Sequence, residues 1–244
     1  MNYKVNAIYA TYQGEVNIQG IGAPVIFVRL QGCHLRCYLK TLGTLCDTPE
    51  GLEKDFPGAM NIELDYILNV LQEIRAKSGI NLICLSGGDP LWRKQEEVFE
   101  LLAAFSKAGF KTSVETSGTL SIKPYRNIPE VYWVLDYKLK SAGVPAPFKI
   151  DELSLLYNTD YIKFVVYDEE DYKEFKEVVY SKLITDAQIA IGPYWGGKIT
   201  SKQLVQNLLN DELLGKVKIN AQMHKLLTLA DNSDVSKLEI PKLL

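Results

Sequence analysis

Long apolar runs are absent from this sequence of 244 residues. Its apolar stretches, such as Val25–Val28, fall far short of the roughly 20 residues that a membrane-spanning helix needs. The start, MNYKVNAIYATYQGE, also lacks the apolar core of a secretory signal peptide. We therefore expect no membrane partner and a cytoplasmic location.

An excess of positive charge is missing as well. The chain has 27 lysine and arginine residues against 30 aspartate and glutamate residues, a formal net charge of −3 at pH 7. Without a global basic field, the chain is not expected to bind nucleic acid. Its 47% hydrophobic content is enough for one sizeable core, so we expect a single domain over residues 1–244.

Cysteine is scarce, with four residues in the whole chain, but three of them are clustered. Cys33 and Cys37 have three residues between them, and Cys46 follows after eight more. Because the cytosol keeps thiols reduced, clustered cysteines there more often bind metal or take part in chemistry than form disulfides. The fourth, Cys84, lies in the apolar stretch NLICLS, where a small buried thiol is expected.

Two kinds of metal centre fit the three clustered cysteines. With His34 as a fourth ligand, they would form a zinc site of three thiolates and one imidazole. Alternatively, they would hold three irons of a 4Fe–4S cluster and leave the fourth iron open to a ligand. The irregular spacing also allows three unrelated loop cysteines, so spacing alone does not choose among these interpretations.

Short β-prone stretches alternate with helical patterns along most of the chain. The strand candidates are PVIFVRL, NLICLS, KTSVET, VYWVLDYK, YIKFVVYD, AQIAIG and KVKINAQ. Apolar spacing predicts one helix with Asn61 as its N-cap, one ending at Gly109, and two more over residues 168–183 and 200–214. This alternation favours a parallel sheet with crossover helices, but periodicity does not distinguish an open barrel from a doubly wound sheet.

Polar or glycine-rich stretches stand at the ends of several predicted strands. They are QGC after the first strand, SGGDP after the second, ETSGT at the third and DYK at the fourth. In parallel sheets, ligands bind beyond the carboxyl ends of the strands. The sequence therefore predicts a ligand site where these ends meet.

The cysteine loop and SGGDP together resemble the radical S-adenosylmethionine enzymes. Those enzymes usually carry Cys-x₃-Cys-x₂-Cys after the first strand and Gly-Gly-Glu-Pro after the second. The gap between Cys33 and Cys37 matches, whereas the gap before Cys46 is six residues longer and Asp89 replaces the usual glutamate.

More closely, the chain resembles the 7-carboxy-7-deazaguanine synthase family, from about Tyr9 to His224. The resemblance rests on TYQGE, FVRLQGCHLRC, CDT, SGGDPL, VETSGT, DYK, IKFVV and AQMHK. It implies an α/β fold: an incomplete parallel (β/α) barrel of about six strands with a reduced number of helices, a modified cluster loop at residues 33–46 and a C-terminal tail at about residues 225–244. It also implies a homodimer and an electron donor such as flavodoxin.

The activity implied by the resemblance is a ring contraction. It converts 6-carboxy-5,6,7,8-tetrahydropterin to 7-carboxy-7-deazaguanine with loss of ammonia, in the biosynthesis of queuosine-type bases. The implied cofactors are a 4Fe–4S cluster, S-adenosylmethionine and Mg²⁺. Two alternatives stay open: a radical activase that takes hydrogen from a glycine of a partner protein, and a zinc-stabilised binding module.

The resemblance assigns residues to each of these ligands. The cluster would be bound by Cys33, Cys37 and Cys46, and Mg²⁺ by the hydroxyl of Thr48, a ligand that suits this hard ion. S-adenosylmethionine would be bound by Leu45, Asp47, Gly88, Asp89, Glu115, Asp136, Tyr137 and Lys138. The pterin would be bound by Tyr12, Gln13, Gly14, Glu15, Arg29, Ser86 and His224.

Some of these implied roles are specific. Arg29 would pair with the substrate carboxylate, for which a bidentate guanidinium group is well shaped. Gly88 and Asp89 would hold the amino group of S-adenosylmethionine, and Glu115 would reach a ribose hydroxyl. In DYK, only Lys138 matches the Ser-Pro-Lys that the family often has.

The six additional residues before Cys46 are expected to make an excursion that returns the chain to the iron. Each doubling of loop length costs only about 0.6 kcal/mol in closure entropy, which several iron–thiolate bonds can offset. Gly43 provides a flexible point. Leu39, Leu42 and Leu45 are expected to cover the cluster with one helical face.

Overall fold

The computed structural model describes residues 1–39, 43–46, 48–53, 57–144, 148–181, 183–184 and 186–226. The strands are β1 (Asn2–Tyr12), β2 (Pro24–Leu30), β3 (Tyr38–Leu39), β4 (Thr44–Leu45), β5 (Met60–Glu63), β6 (Leu82–Gly87), β7 (Lys111–Thr116), β8 (Val131–Tyr137), β9 (Tyr161–Val166), β10 (Gln188–Pro193) and β11 (Val217–Ile219). The α-helices are α1 (Leu64–Ser78), α2 (Gln95–Lys107), α3 (Glu169–Tyr180) and α4 (Ser201–Asn210).

Nine of these strands form one sheet in the order β11-β10-β9-β8-β7-β6-β2-β1-β5. Neighbours from β2 to β11 run parallel, whereas β1 is antiparallel to β2 and β5 is antiparallel to β1. Within the described residues the edge strands β11 and β5 do not pair with each other, so the sheet stays open. The predicted incomplete parallel barrel is confirmed, and the short β11 brings the parallel row to seven strands.

The parallel strands bury both of their faces. On β6, Ile83 and Leu85 join the main core, which also contains Leu71 of α1 and Phe105 of α2. The alternate residue Cys84 faces the other way, into a separate inner cluster. Because successive side chains of a strand point to opposite faces, every second residue of these strands faces the inside of the open barrel.

The first helix begins later than the sequence predicts. Asn61, the expected N-cap, lies in β5, and the cap position is taken by Glu63, whose side chain makes no capping bond. Residues 60–63 are extended because they pair with β1, from Asn2 opposite Glu63 to Val5 opposite Met60. This long-range pairing outweighs the local capping signal.

The other helices lie where the apolar spacing predicts them. Helix α2 is followed by Gly109 in a left-handed conformation with φ 79°. The Asp168 side chain caps α3 by accepting from the Asp171 amide, and Thr200 and Gln203 form a capping box on α4.

Short 3-10 segments at 123–125, 140–142 and 150–155 take the place of helices on both sides of β8. The reduced helix count is thereby confirmed. Across the described ranges, no helix combines the length and the apolar character needed to span a membrane. Most of the predicted C-terminal tail lies outside the described residues, and the single domain over residues 1–244 stays a prediction.

Candidate active site

A cavity of about 570 Å³ opens at the carboxyl ends of the parallel strands. It brings together nearly all the predicted site residues. Its lining includes Tyr12, Gln13, Gly14, Glu15, Arg29, Cys33, Cys37, Cys46, Thr48, Ser86, Gly88, Asp89, Glu115, Asp136, Tyr137, Lys138 and His224. Two predicted site residues are not in this list. Leu45 lies in β4, where the structure describes only its backbone, and Asp47 lies outside the described residues.

Strand register explains why these side chains converge. Arg29 of β2 lies opposite Ser86 of β6, and Asp136 of β8 lies opposite Lys163 of β9. Residues that are paired in this way point to the same face of the sheet. The inward-facing positions near the strand ends therefore carry the polar groups, while the positions below them carry apolar residues.

The connection between β1 and β2 forms a floor inside the open barrel. We call residues 13–17 the floor segment. Val16 packs on the inward-facing Val134, Tyr161 and Ala190 of three different strands. The buried Gln13 donates from Nε2 to Oε1 of Glu115 at 2.8 Å.

The C-terminal stretch AQMHK packs on this floor segment. The Met223 amide donates to the Gly14 carbonyl at 2.9 Å, and the Val16 amide donates to Oδ1 of Asn220 at 2.9 Å. A Cβ atom on Gly14 would lie 2.3 Å from Nδ1 of His224, so a larger residue would displace that ring. The His224 ring therefore packs directly on Gly14 at the cavity wall. The role of His224 in substrate binding stays a prediction.

The described parts of the cysteine loop include two short paired strands between Cys37 and Cys46. Strands β3 and β4 pair antiparallel, and the Cys46 amide donates to the Cys37 carbonyl at 2.8 Å. The backbone thus returns to Cys37 at Cys46, and the predicted return to the iron stays a prediction. The predicted helical face is wrong, because Leu39 and Leu45 lie in strands; Leu42 lies outside the described residues.

The surroundings of the thiols fit a metal–sulfur cluster. Backbone amides donate to two of the sulfurs at 3.4 Å, from Leu35 to Cys33 and from Thr48 to Cys46. Burial above all, with the nearby Asp89, Cys37 and Cys46 adding to its effect, raises the pKa of Cys33 to about 11. Thiolates crowded in this way need a cationic partner, which the irons of a cluster provide, and amide donors to sulfur are typical of such clusters.

The zinc alternative does not fit this geometry. His34 directs Nε2 to the Thr119 hydroxyl, 2.7 Å away, and not to the cysteines. In the part of the chain that the structure describes, no three histidine, cysteine, aspartate or glutamate side chains are placed to hold one metal ion. A four-iron cluster differs, because each thiolate binds its own iron and the sulfurs need not converge on one point.

The two glycines of SGGDP allow a close approach to the cysteine loop. Gly87 has φ 136°, and a Cβ atom there would lie 2.1 Å from the Leu30 carbonyl oxygen. A Cβ atom on Gly88 would lie 2.1 Å from the Gly32 carbonyl oxygen. The turn after β6 can lie against QGC only with glycine at both positions.

Asp89 holds this turn to the next strand end. Its two carboxylate oxygens accept from the Thr116 hydroxyl at 2.8 Å, from the Leu91 amide at 3.0 Å, and from both the amide and the hydroxyl of Ser117. These four bonds use the lone-pair sites of a carboxylate. The Asp89 side chain therefore fixes the turn to the end of β7, and the contact of Gly88 and Asp89 with the amino group of S-adenosylmethionine stays a prediction.

Arg29 already carries a carboxylate partner in the cavity. Its Nη1 lies 3.0 Å from Oε1 of Glu50, and its guanidinium group stands 5.4 Å from the centre of the Phe27 ring. Glu50 was not among the predicted site residues, because nothing in its local sequence marks it. Arg29 therefore faces the cavity with its charge already paired, and its role toward the substrate carboxylate stays a prediction.

Glu115 lies among the residues assigned to the pterin. It accepts from Gln13, and the Ser86 hydroxyl and the Cys84 thiol lie 3.4 Å from its two oxygens. Cys84 itself is fully buried behind the cavity wall. This grouping favours a substrate contact for Glu115 over the predicted ribose contact.

A buried network of charges links the floor segment to the strand ends. Lys163 pairs with Glu15 and lies 3.2 Å from Oδ2 of Asp136, which Lys138 approaches to 2.9 Å. Burial opposes ionisation of Asp136, but the two lysines hold its pKa at about 2. Sequence reasoning missed Lys163, although a lysine inside an apolar strand is a signal in itself, because lysine is almost never buried without a partner.

Curated relatives identify the family, although no protein-family model matches the chain. The 7-carboxy-7-deazaguanine synthase of Methanospirillum hungatei is 33% identical over 230 residues, which cover 93% of this chain and 86% of that protein. The chain belongs to the 7-carboxy-7-deazaguanine synthase family. The synthase of Koribacter versatilis is 36% identical over 177 residues, covering 71% of this chain and 69% of that protein.

Solved structures share the fold of this family member. QueE from Escherichia coli has a TM-score of 0.67 at 21% identity and covers 90% of this chain and 93% of its own. SuiB from Streptococcus suis, in a structure bound to S-adenosylmethionine, has a TM-score of 0.55 at 12% identity, over 78% of this chain and 47% of its own. Membership in the 7-carboxy-7-deazaguanine synthase family confirms the resemblance found in the sequence and leaves the activase and zinc-module alternatives without support.

Proposed function

We propose that this protein converts 6-carboxy-5,6,7,8-tetrahydropterin to 7-carboxy-7-deazaguanine with loss of ammonia. One observation carries the proposal: a single cavity, in a chain of this family, holds the three clustered cysteines together with a buried set of guanidinium, amide and carboxylate groups. The reaction needs both, because it must break an unactivated C–H bond and hold a polar bicyclic substrate.

The cysteine side of the cavity is where we place the cofactors. A 4Fe–4S cluster bound by Cys33, Cys37 and Cys46, together with S-adenosylmethionine, supplies the radical that removes hydrogen from the substrate. The SuiB structure shows that a related fold takes S-adenosylmethionine. In this chain the backbone of Gly88 and the side chains of Asp136 and Lys138 line the adjoining wall and are suited to its amino and carboxylate groups.

The rest of the cavity wall and the floor segment supply partners for the polar groups of the pterin. The guanidinium group of Arg29 suits the pterin carboxylate, which would replace Glu50 as its partner. Carboxylates accept hydrogen bonds only, so Glu15 and Glu115 suit the amino and ring N–H groups of the pterin. Tyr12 is 61% exposed and contributes to the rim of the cavity.

We further propose that Thr48 binds Mg²⁺ beside the substrate carboxylate, since Thr48 lines the same cavity as Cys46 and a hydroxyl suits this hard ion. We also propose that the enzyme is a homodimer in the cytoplasm that takes electrons from a flavodoxin-like donor. The four free cysteines are consistent with a reducing compartment.

Anaerobic reconstitution tests the proposed function. The protein is loaded with iron and sulfide, assayed for both, and incubated with S-adenosylmethionine, dithionite and the tetrahydropterin, with and without Mg²⁺. We expect brown protein, about four irons and four sulfides per chain for one cluster, and 7-carboxy-7-deazaguanine by mass spectrometry. A protein that cleaves S-adenosylmethionine but leaves the pterin unchanged refutes the substrate assignment, and colourless zinc-containing protein refutes the cofactor assignment.

A further inference from the structure

Lys163 is a buried cation in the cavity to which the proposed function assigns no task. Its side chain is 6% exposed and projects from β9 into the inside of the barrel. The ammonium group contacts the Glu15 carboxylate and lies 3.2 Å from Oδ2 of Asp136. A lysine this deeply buried stays charged only when carboxylates pair with it.

The two carboxylates come from different parts of the cavity. Glu15 belongs to the floor segment, next to the residues assigned to the pterin, and Asp136 belongs to the end of β8, beside Lys138. Both carboxylates form an ion pair with the same Lys163 ammonium group. It therefore joins the substrate side of the cavity to the cofactor side.

Unused acceptors flank this ammonium group. In the described residues, Oδ1 of Asp136 and Oε1 of Gln222 are buried without a hydrogen-bond partner, and both residues line the cavity. Gln222 donates its own Nε2 to the other oxygen of Glu15 at 3.2 Å. Buried acceptors without partners are unfavourable, so this arrangement is suited to a ligand that brings N–H donors.

We propose that Lys163 is a positioning residue, whose ammonium group orients Glu15 toward the N–H groups of the pterin and Asp136 toward the amino group of S-adenosylmethionine. This inference rests on the proposed function. Lys163 acts as a fixed charge and takes no part in proton transfer. Burial opposes its charge, but Asp136 and Glu15 outweigh that effect and raise the pKa of Lys163, so it stays protonated across the working pH range.

Three variants test the proposal: Lys163→Met, Lys163→Arg and the control Lys173→Met, which removes an exposed lysine of α3. Lys163→Met should raise the KM for the pterin at pH 7 at least about tenfold. This change corresponds to about 1.4 kcal/mol of binding free energy. Lys138 still supports Asp136 in this variant, whereas Glu15 loses the ammonium group that it contacts, so the KM for the pterin should rise while kcat changes less. Lys163→Arg keeps the charge but displaces it, so its KM should rise less than that of Lys163→Met.

A purely structural role for Lys163 predicts a different pattern. Lys163→Met would then lose melting temperature and kcat, while the KM stayed at the value of the wild type and of Lys173→Met; that result overturns the proposal. If Lys163→Met does not fold, Lys163→Arg decides, because displacement of the charge should still raise the KM, whereas an unchanged KM overturns the proposal.

A second readout separates this proposal from the proposed function. The dissociation constant of S-adenosylmethionine is measured by equilibrium dialysis on the reconstituted protein, and Lys163→Met should raise it at least about threefold, because Asp136 loses one of its two cations. If the wild type binds S-adenosylmethionine but does not convert the pterin, the proposed function fails. The dissociation constant of S-adenosylmethionine then decides whether Lys163 is a positioning residue. An unchanged dissociation constant then overturns the positioning role.

Discussion

At the scale of single residues, the cavity is dominated by charges that already have partners. Arg29 is paired with Glu50, and Lys163 and Lys138 share Asp136. Because isolated charges are unfavourable away from water, such pairs keep the groups ionised and oriented before a ligand arrives. Substitutions of these groups should therefore change ligand binding, and where a depressed pKa is lost they should also change the pH dependence of stability.

Arg29→Lys should raise the KM for the pterin roughly tenfold, because lysine keeps the charge and loses the paired hydrogen bonds of the guanidinium group. The melting temperature should change little, since Arg29 lies at the cavity wall and not in the apolar core. The measurement is steady-state turnover combined with thermal unfolding. Arg75→Lys on α1 is the control, and a KM for Arg29→Lys equal to that of this control would contradict the substrate role.

Asp136→Asn should destabilise the protein most near neutral pH. The pKa of Asp136 is about 2 in the folded protein, below the value of about 3.9 for an unfolded chain. A carboxyl group whose pKa is lower in the folded protein than in the unfolded chain stabilises the fold fully at pH values above its unfolded pKa. This stabilisation is lost as the pH falls toward the folded pKa. Urea unfolding of wild type and variant should show a difference that shrinks between pH 6 and pH 3, and a constant difference would refute this role for the carboxylate.

At the scale of elements, the cysteine loop shows how a longer spacing can serve the same site. Strands β3 and β4 pair on the two sides of this longer stretch, and the Cys46 amide donates to the Cys37 carbonyl. Cys46 has a left-handed backbone with φ 53°, which is strained for a residue other than glycine. Strain of this kind is often found at functional sites, where the surrounding structure holds it.

Cys46→Ala should therefore lose cluster iron and the cleavage of S-adenosylmethionine, whereas Cys84→Ala should keep both. Cys84 is fully buried in an apolar cluster, so its loss should cost about 1 kcal/mol of stability or somewhat more. Both variants are reconstituted anaerobically and scored for iron, sulfide and cleavage. The reverse pattern would show that the third cluster ligand is Cys84.

At the scale of the whole molecule, the open barrel is completed from inside by two distant segments. The floor segment near the N-terminus and the stretch around Asn220–His224 hold each other through backbone bonds and through His224 on Gly14. The floor presents Gln13 and Glu15 to the cavity. Substrate binding should therefore depend on contacts between parts of the chain that lie some 200 residues apart.

Gly14→Ala tests this dependence. The new methyl group would displace His224, and we expect a loss of about 1–3 kcal/mol in the free energy of unfolding, typical of overpacking, together with a higher KM for the pterin. Gly215→Ala is a matched control, because a Cβ atom there meets nothing within 4 Å. Equal effects of the two substitutions in urea unfolding and in turnover would disprove the role of the contact.

Local patterns were sufficient to predict the parallel strands, the four helices apart from the start of the first, and the strand ends that meet at the cavity. Periodicity reports which face of an element is buried, and in parallel sheets the residues after each strand meet at one edge. Cys33, Gly88 and Lys138 could therefore be placed in one site from the sequence. Their spacing and residue types were also enough to indicate the family.

Only the tertiary structure decided which groups face each other. The extended residues 60–63 depend on pairing with β1, and the partners of Arg29 and Lys163 come from distant parts of the chain. No local pattern encodes these contacts, since each is set by strand register and by the path of the floor segment through the open barrel. For that reason the sequence determined the chemistry of the site, and the fold alone determined how its charges are paired.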